Sequence, residues 1–162
     1  MSIPKHPSIN LQTLNQFASR IGDLEFLFRF SEYEDRELID HLVEQYGSRR
    51  EDFASKTTND IWSELQTHQS EYGLAFDYVR SGTFEDQAIG YFRYQLSFGG
   101  PTEEFRFYVD PEHNLIKAEF WLLDWFTGSC IDCTLQQTVI AMWEYFRDVD
   151  LSQSALQTAM SD

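Results

Sequence analysis

Apolar residues recur at helical spacing near the start of the chain. Leu11, Leu14, Phe17, Ala18 and Ile21 share one face, and Gly22 follows as a stop signal. In Leu24-Glu25-Phe26-Leu27-Phe28-Arg29-Phe30 every even position is apolar, an alternation that favours a strand over a continued helix. Ser31-x-x-Glu34 has the spacing of a capping box. Leu38, Ile39, Leu42, Val43 and Tyr46 then form one stripe ending at Gly47, which predicts a second helix. Ser48-x-x-Glu51 predicts a short helical turn around Phe53. A third helix is expected from Thr58 or Asn59, through Ile61, Trp62 and Leu65, to Gly73.

The period then changes from helical to alternating. Leu74 to Val79 predicts a strand and Ser81-Gly82 a turn. Phe92, Tyr94, Leu96 and Phe98 alternate with Arg93, Gln95 and Ser97, as on a half-buried strand. Gly99-Gly100-Pro101 is a turn, since glycine accepts positive φ and proline lacks a ladder donor. Phe105, Phe107 and Val109 alternate in the next strand, Asp110 to Asn114 turns again, and Ile116 to Phe126 completes a meander. A last main helix carries Val139, Ile140, Trp143 and Phe146, with Thr134 as a candidate start, and Leu151 to Met160 predicts a short docked helix. The expected architecture is one α+β domain over 1–162, an antiparallel three- to four-stranded meander flanked by four to five helices. Within it, 1–8 is an extended arm, 10–72 mainly helical, 74–126 the sheet and 134–160 the C-terminal helices.

Composition narrows the function classes. Of 162 residues, 27 are acidic and 12 basic, a formal charge of −15. The first 80 residues hold 14 acidic and 8 basic residues (−6) and the remainder 13 and 4 (−9), so the charge is spread and is not a tail. A field of that sign repels phosphate, which argues against direct nucleic-acid binding and against anionic membrane surfaces. It favours cationic partners, above all a basic protein; it also serves plain solubility. The N-terminal stretch lacks the apolar region of a secretory signal and no apolar run reaches the ~18 residues of a spanning helix, so a cytoplasmic protein is expected.

Candidate chemistry is sparse. Cys130-x-x-Cys133 has the spacing of a redox dithiol or half a zinc site, but no second cysteine pair and no HxxxH spacing exist. Two ordinary loop cysteines are expected, with no metal and no cofactor. Glu103, Glu104, Glu119 and Asp124 could supply paired carboxylates to a small hydrolase if neighbouring strands brought them to one cleft. No nucleophile elbow, phosphate-binding loop or metalloprotease motif is present.

Two features suit partner binding. In Phe120-Trp121-Leu122-Leu123-Asp124-Trp125-Phe126, strand alternation puts Trp121, Leu123 and Trp125 on one side. They are then either covered by helices packed on both sheet faces or exposed as an anchor patch, Trp being the leading hot-spot residue. On the second helix, Glu37, Asp40 and Glu44 place a carboxylate about every 4.5–6 Å along the axis, away from the apolar stripe. Such a row is either an ordinary solvated face or an imitation of a row of phosphates. No catalytic residue is assigned.

The stretch Tyr91 to Asp110 (YFRYQLSFGGPTEEFRFYVD), followed by Phe120 to Gly128 (FWLLDWFTG), resembles uncharacterised small acidic proteins carried by phages and conjugative elements. Its specific parts are the Gly-Gly-Pro turn and Leu123-Asp124-Trp125-Phe126, while Thr127 and the Cys130/Cys133 pair fall outside the pattern. The resemblance implies a context, in which acidic products of mobile elements inhibit restriction or CRISPR defence. The expected function is therefore a non-enzymatic acidic protein-binding module, in its concrete form an anti-defence inhibitor that mimics DNA on a basic nucleic-acid-binding surface. Partner-binding candidates are Glu37, Asp40, Glu44, Trp121 and Trp125. A carboxylate-dependent hydrolase and a structural subunit of a larger assembly are the alternatives.

Overall fold

The computed structural model describes residues 10–125 and 127–161; the expected arm over 1–8 and Phe126 lie outside them. Helix α1 runs Leu11–Phe28 behind Asn10, whose side chain accepts the Thr13 N–H at 2.8 Å. The expected stop at Gly22 and strand over Leu24 to Phe30 are both corrected. Phe17, Ile21, Leu24 and Phe28 continue the helical stripe, and burial of Leu24 and Leu27 outweighs the roughly 1 kcal/mol cost of an interior glycine. A short 3-10 turn at Phe30–Glu32 leads to α2, Asp35–Tyr46. Its capping box is Glu34 with Glu37, one turn later than Ser31-x-x-Glu34. A 3-10 turn at Arg50–Phe53 precedes α3, Thr58–Tyr72, which is capped by Thr57 and ends at Gly73.

The sheet has five strands in sequential antiparallel order: β1 Ala75–Val79, β2 Tyr91–Ser97, β3 Thr102–Val109, β4 Leu115–Asp124 and β5 Thr127–Asp132. The strand missing from the expected meander is β5. Its Thr-Gly-Ser-Cys-Ile-Asp sequence mixes the strand formers Thr and Ile with Gly, Ser and Asp and shows no apolar alternation, and it is a strand because its backbone pairs with β4 from Asp124↔Thr127 to Glu119↔Asp132. The third expected strand accordingly ends at Asp124. Helix α4 is Gln137–Asp148, capped by Gln136 and not by Thr134, and α5 is Leu151–Ser161. No described helix is long and apolar enough to cross a membrane.

The helices cover one sheet face only, so of the two alternatives for the strand that carries Trp121 and Trp125, helices packed on both faces does not hold. Phe92, Tyr94, Leu96, Phe105, Phe107, Ala118 and Phe120 form a core with Leu24 of α1 and Val139, Met142, Trp143 and Phe146 of α4. A second core joins Leu27 of α1 to Leu38 and Leu42 of α2, Phe53, and Ile61 and Leu65 of α3. Helix α1 thus serves both. Helix α5 lies against the edge strand β1, with Ala155 and Leu156 packed on the first core.

Candidate docking site at the sheet end and the helix-free face

Register brings two hairpin turns to the same end of the sheet, because Ser97 pairs Glu103 and Thr102 pairs Leu123. Phe98 sits in the β2–β3 turn and is 79% exposed; Trp125 sits in the β4–β5 turn and is 90% exposed. Two strand spacings separate the turns, about 10 Å. Leu74, also exposed, enters β1 at this end, where its N–H bonds the Gln95 carbonyl at 2.8 Å. Three large apolar side chains are therefore exposed along this end of the sheet in a strongly acidic chain.

Both turns are braced from below. Ser97 Oγ accepts the Glu103 N–H at 3.0 Å, and its single hydroxyl proton has the Pro101 carbonyl and Glu103 Oε2 as acceptors within 3.2 Å. Arg20 of α1 then holds Glu103 through two hydrogen bonds, 3.1 and 2.7 Å. Those bonds raise the Arg20 pKa against the opposing effect of burial. In the other turn, Thr127 Oγ1 donates to the Asp124 carbonyl at 3.2 Å. Trp125 has φ 47°, a left-handed conformation costing a bulky residue about 1–2 kcal/mol. The tight connection accounts for it: Asp124 pairs Thr127, and two-residue hairpin turns take positive φ at their first central residue.

Trp121 and Trp125 do not form the common patch that alternation implies, because Trp125 leaves the ladder in the turn. Trp121 stays on the helix-free face, half-buried, with Nε1 donating to Glu119 Oε1 at 3.3 Å and the Arg106 guanidinium 4.1 Å from its ring centre. Phe98 and Leu74, both expected inside strands, are the exposed residues of this sheet end that the sequence reading does not single out. For Phe98 the signal was its position directly before Gly99-Gly100-Pro101, where the ladder ends and side-chain alternation no longer assigns a buried face.

Across the helix-free face runs a row of paired charges: Asp77, Arg93, Arg106, Glu119 and Asp132, one from each strand in order. Arg93 binds Asp77 through two hydrogen bonds, 2.9 and 2.6 Å, which raise its pKa. Arg106 donates to Glu104 at 2.8 Å, and Lys117 stands 3.2 Å from Glu119. Three of the four basic residues after position 80 lie here. Glu104 and Glu119 thus share a face, as a carboxylate pair would require, but Arg106 stands opposite Glu119 and pairs with Glu104. Glu103 faces the helices instead. Each of these three carboxylates holds a cation, an arrangement that suits packing more than proton transfer; Asp124 is exposed at the hairpin.

The cysteines diverge. Cys130 is a β5 residue on the helix-free face, not a loop residue, and its thiol points at Glu119 Oε2 at 3.8 Å. Burial first, then the Glu119 charge, push its pKa up to about 11. Cys133 is buried in the core on the opposite face, and burial raises its pKa further. Among the described residues no group of three or more His, Cys, Asp and Glu is placed to hold a metal ion.

The α2 row is partly engaged within the fold. Glu37 accepts the Glu34 N–H in the capping box and Asp40 pairs with Arg50 at 2.6 Å, both at the surface. Glu44 is exposed. Helix α2 packs on α3 around the second core, whereas Trp121 faces away from the helices, so the structure does not gather the five candidates into one site. No family model, curated protein or solved structure matches the chain.

Proposed function

We propose that this chain is a non-enzymatic, acidic protein-binding module that holds a basic partner through the sheet end formed by Phe98, Trp125 and Leu74. The observation that carries the reading is Trp125, 90% exposed in a left-handed turn at the sheet end that also exposes Phe98. Exposed apolar clusters rimmed by polar residues mark interaction sites, and Trp is the residue whose truncation most often weakens an interface. The charge of −15 selects a cationic partner and accelerates encounter. Glu37, Asp40 and Glu44 act in this reading as steering charges. Trp121 supports the sheet from its helix-free face.

In its narrower form the module is an anti-defence inhibitor of phage or mobile-element origin, covering the nucleic-acid-binding surface of a restriction or CRISPR protein. The charge and the resemblance of residues 91–128 to small acidic phage proteins support this form. Capture from host extract at low and high salt, by the parent and by a Phe98→Ser/Trp125→Ser variant, tests the general reading. A basic protein held by the parent, released by salt and lost with the variant supports it. Equal recovery by both, or recovery of acidic proteins only, overturns it. Competition between the captured protein's nucleic acid and this chain then tests the narrower form, which fails if both bind at once.

A further inference from the structure

A second feature lies toward the opposite end of the sheet, away from Phe98 and Trp125. The connection between β1 and β2 runs beside the helix-free face and closes one wall of a groove of about 600 Å³. Phe84, Ile89, Ile116 and Trp121 give it apolar walls, and the first three are exposed although nothing in the fold requires them at the surface. The size falls within the range of roughly 300–1,000 Å³ that small-molecule sites occupy. The wall is fixed in advance. Gln87 Oε1 accepts the Phe84 N–H at 3.1 Å, Gln87 Nε2 donates to the Ile89 carbonyl at 2.9 Å, and the Gly82 N–H bonds the Gln87 carbonyl at 2.8 Å.

The polar groups define what fits. Tyr91 lines the groove, is 1% exposed and carries a hydroxyl with no hydrogen-bond partner. The two cations of the lining, Arg106 and Lys117, are already neutralised by Glu104 and Glu119. The two carboxylates of the lining, Glu85 and Asp86, are exposed and form no ion pair among the described residues. The uncompensated charge at the groove is therefore negative, in a chain whose whole field is negative. A groove with aromatic walls and free carboxylates at its mouth, over a buried phenol that has no partner, matches an apolar body that carries a cation.

We propose that this groove binds small organic cations with a flat aromatic body, such as aryl-alkylamines. The ring lies between Phe84, Ile89, Ile116 and Trp121, and the ammonium group faces Glu85 and Asp86. This site is independent of the docking surface at the sheet end, so either can fail without the other.

Tryptamine, indole-3-acetamide and indole-3-acetate share one ring system and differ in charge, so calorimetric or ligand-detected NMR titration of the full chain separates shape from charge. The expected order is tryptamine, then the amide, then the acetate, with roughly tenfold between the first and last from two exposed charge contacts worth a few-fold each. Ile116→Ser and Ile89→Ser, both surface changes, weaken tryptamine and the amide alike. Glu85→Gln with Asp86→Asn brings tryptamine down to the amide; Asn accepts the φ of 61° that Asp86 holds. Acetate binding as tightly as tryptamine, indifference to the isoleucine changes, or no binding of any probe at millimolar concentration each overturns the proposal.

Discussion

The Arg106 guanidinium lies between two rings from neighbouring strands, 4.1 Å from the centre of Trp121 and 4.7 Å from that of Tyr91. Sheet register produces this arrangement, since Arg106 is flanked by β2 on one side and β4 on the other and all three side chains share the helix-free face. Cation–π contacts with partly desolvated rings contribute about 0.5–2 kcal/mol each. Trp121→Ala is expected to cost about 2 kcal/mol of unfolding free energy in denaturant titration, and Trp125→Ala less than about 0.5, because an exposed ring leaves no cavity. Equal costs would show that the two tryptophans are not separated as described.

Glu104 supplies the carboxylate for that same arginine and is itself almost fully buried. Glu104→Gln removes the charge but keeps the shape, leaving Arg106 without its ion-pair carboxylate in a largely buried layer. Removing one partner of a buried pair costs about 3–5 kcal/mol, and partial exposure of Arg106 places this case near the lower end. A second change, Arg106→Met, is expected to recover most of the loss. A double variant as unstable as Glu104→Gln alone would show that the pair is not coupled.

Gly99 and Gly100 have φ of 79° and 75°, and a Cβ at either would meet no atom within 4 Å. The cost of Gly99→Val or Gly100→Val is therefore purely conformational, about 1–2 kcal/mol each. Thr102 Oγ1 accepts the Gly99 N–H at 3.3 Å, so Thr102→Val costs about 0.5–1 kcal/mol. Thermal melts that rank Thr102→Val above the glycine variants would contradict this.

Periodicity made most of this fold legible. The α2 stripe, the Gly73 terminus, the β2 and β3 alternation and the Gly-Gly-Pro turn all lie where local pattern and tertiary packing agree. Leu24 to Phe30 misleads because its apolar density fits both periods, and only the two cores that α1 bridges decide for helix. Strand β5 is invisible locally because its stability comes from pairing with β4. Trp125 stands out in the sequence by residue type; Phe98 and Leu74 do not, because their exposure at one sheet end depends on which turns the register brings there.

His41 is buried between helices, stacked on Phe26 at 4.3 Å with Tyr46 edge-on at 5.8 Å, and its Nε2 has no partner. Burial lowers its pKa, with the His68 charge acting the same way and Asp23 and Glu44 opposing. The unfolded chain therefore takes up the proton first as pH falls through about 6.5, and the native state loses stability from there downward until its own lower pKa is reached. The denaturation midpoint is expected to fall between pH 7 and 5.5, and this decline is expected to flatten in His41→Leu. An unchanged slope in that variant would assign the effect elsewhere.

The most direct test is dissociation of the captured partner, measured by surface plasmon resonance at about 0.15 M salt, where screening acts over roughly 8 Å. Trp125→Ala is expected to speed dissociation at least tenfold with little change in association, as loss of an anchor does. Lysine at positions 37, 40 and 44 together is expected to slow association and leave dissociation near the parent value. A Trp125→Ala variant that releases its partner as slowly as the parent would contradict docking through the sheet end.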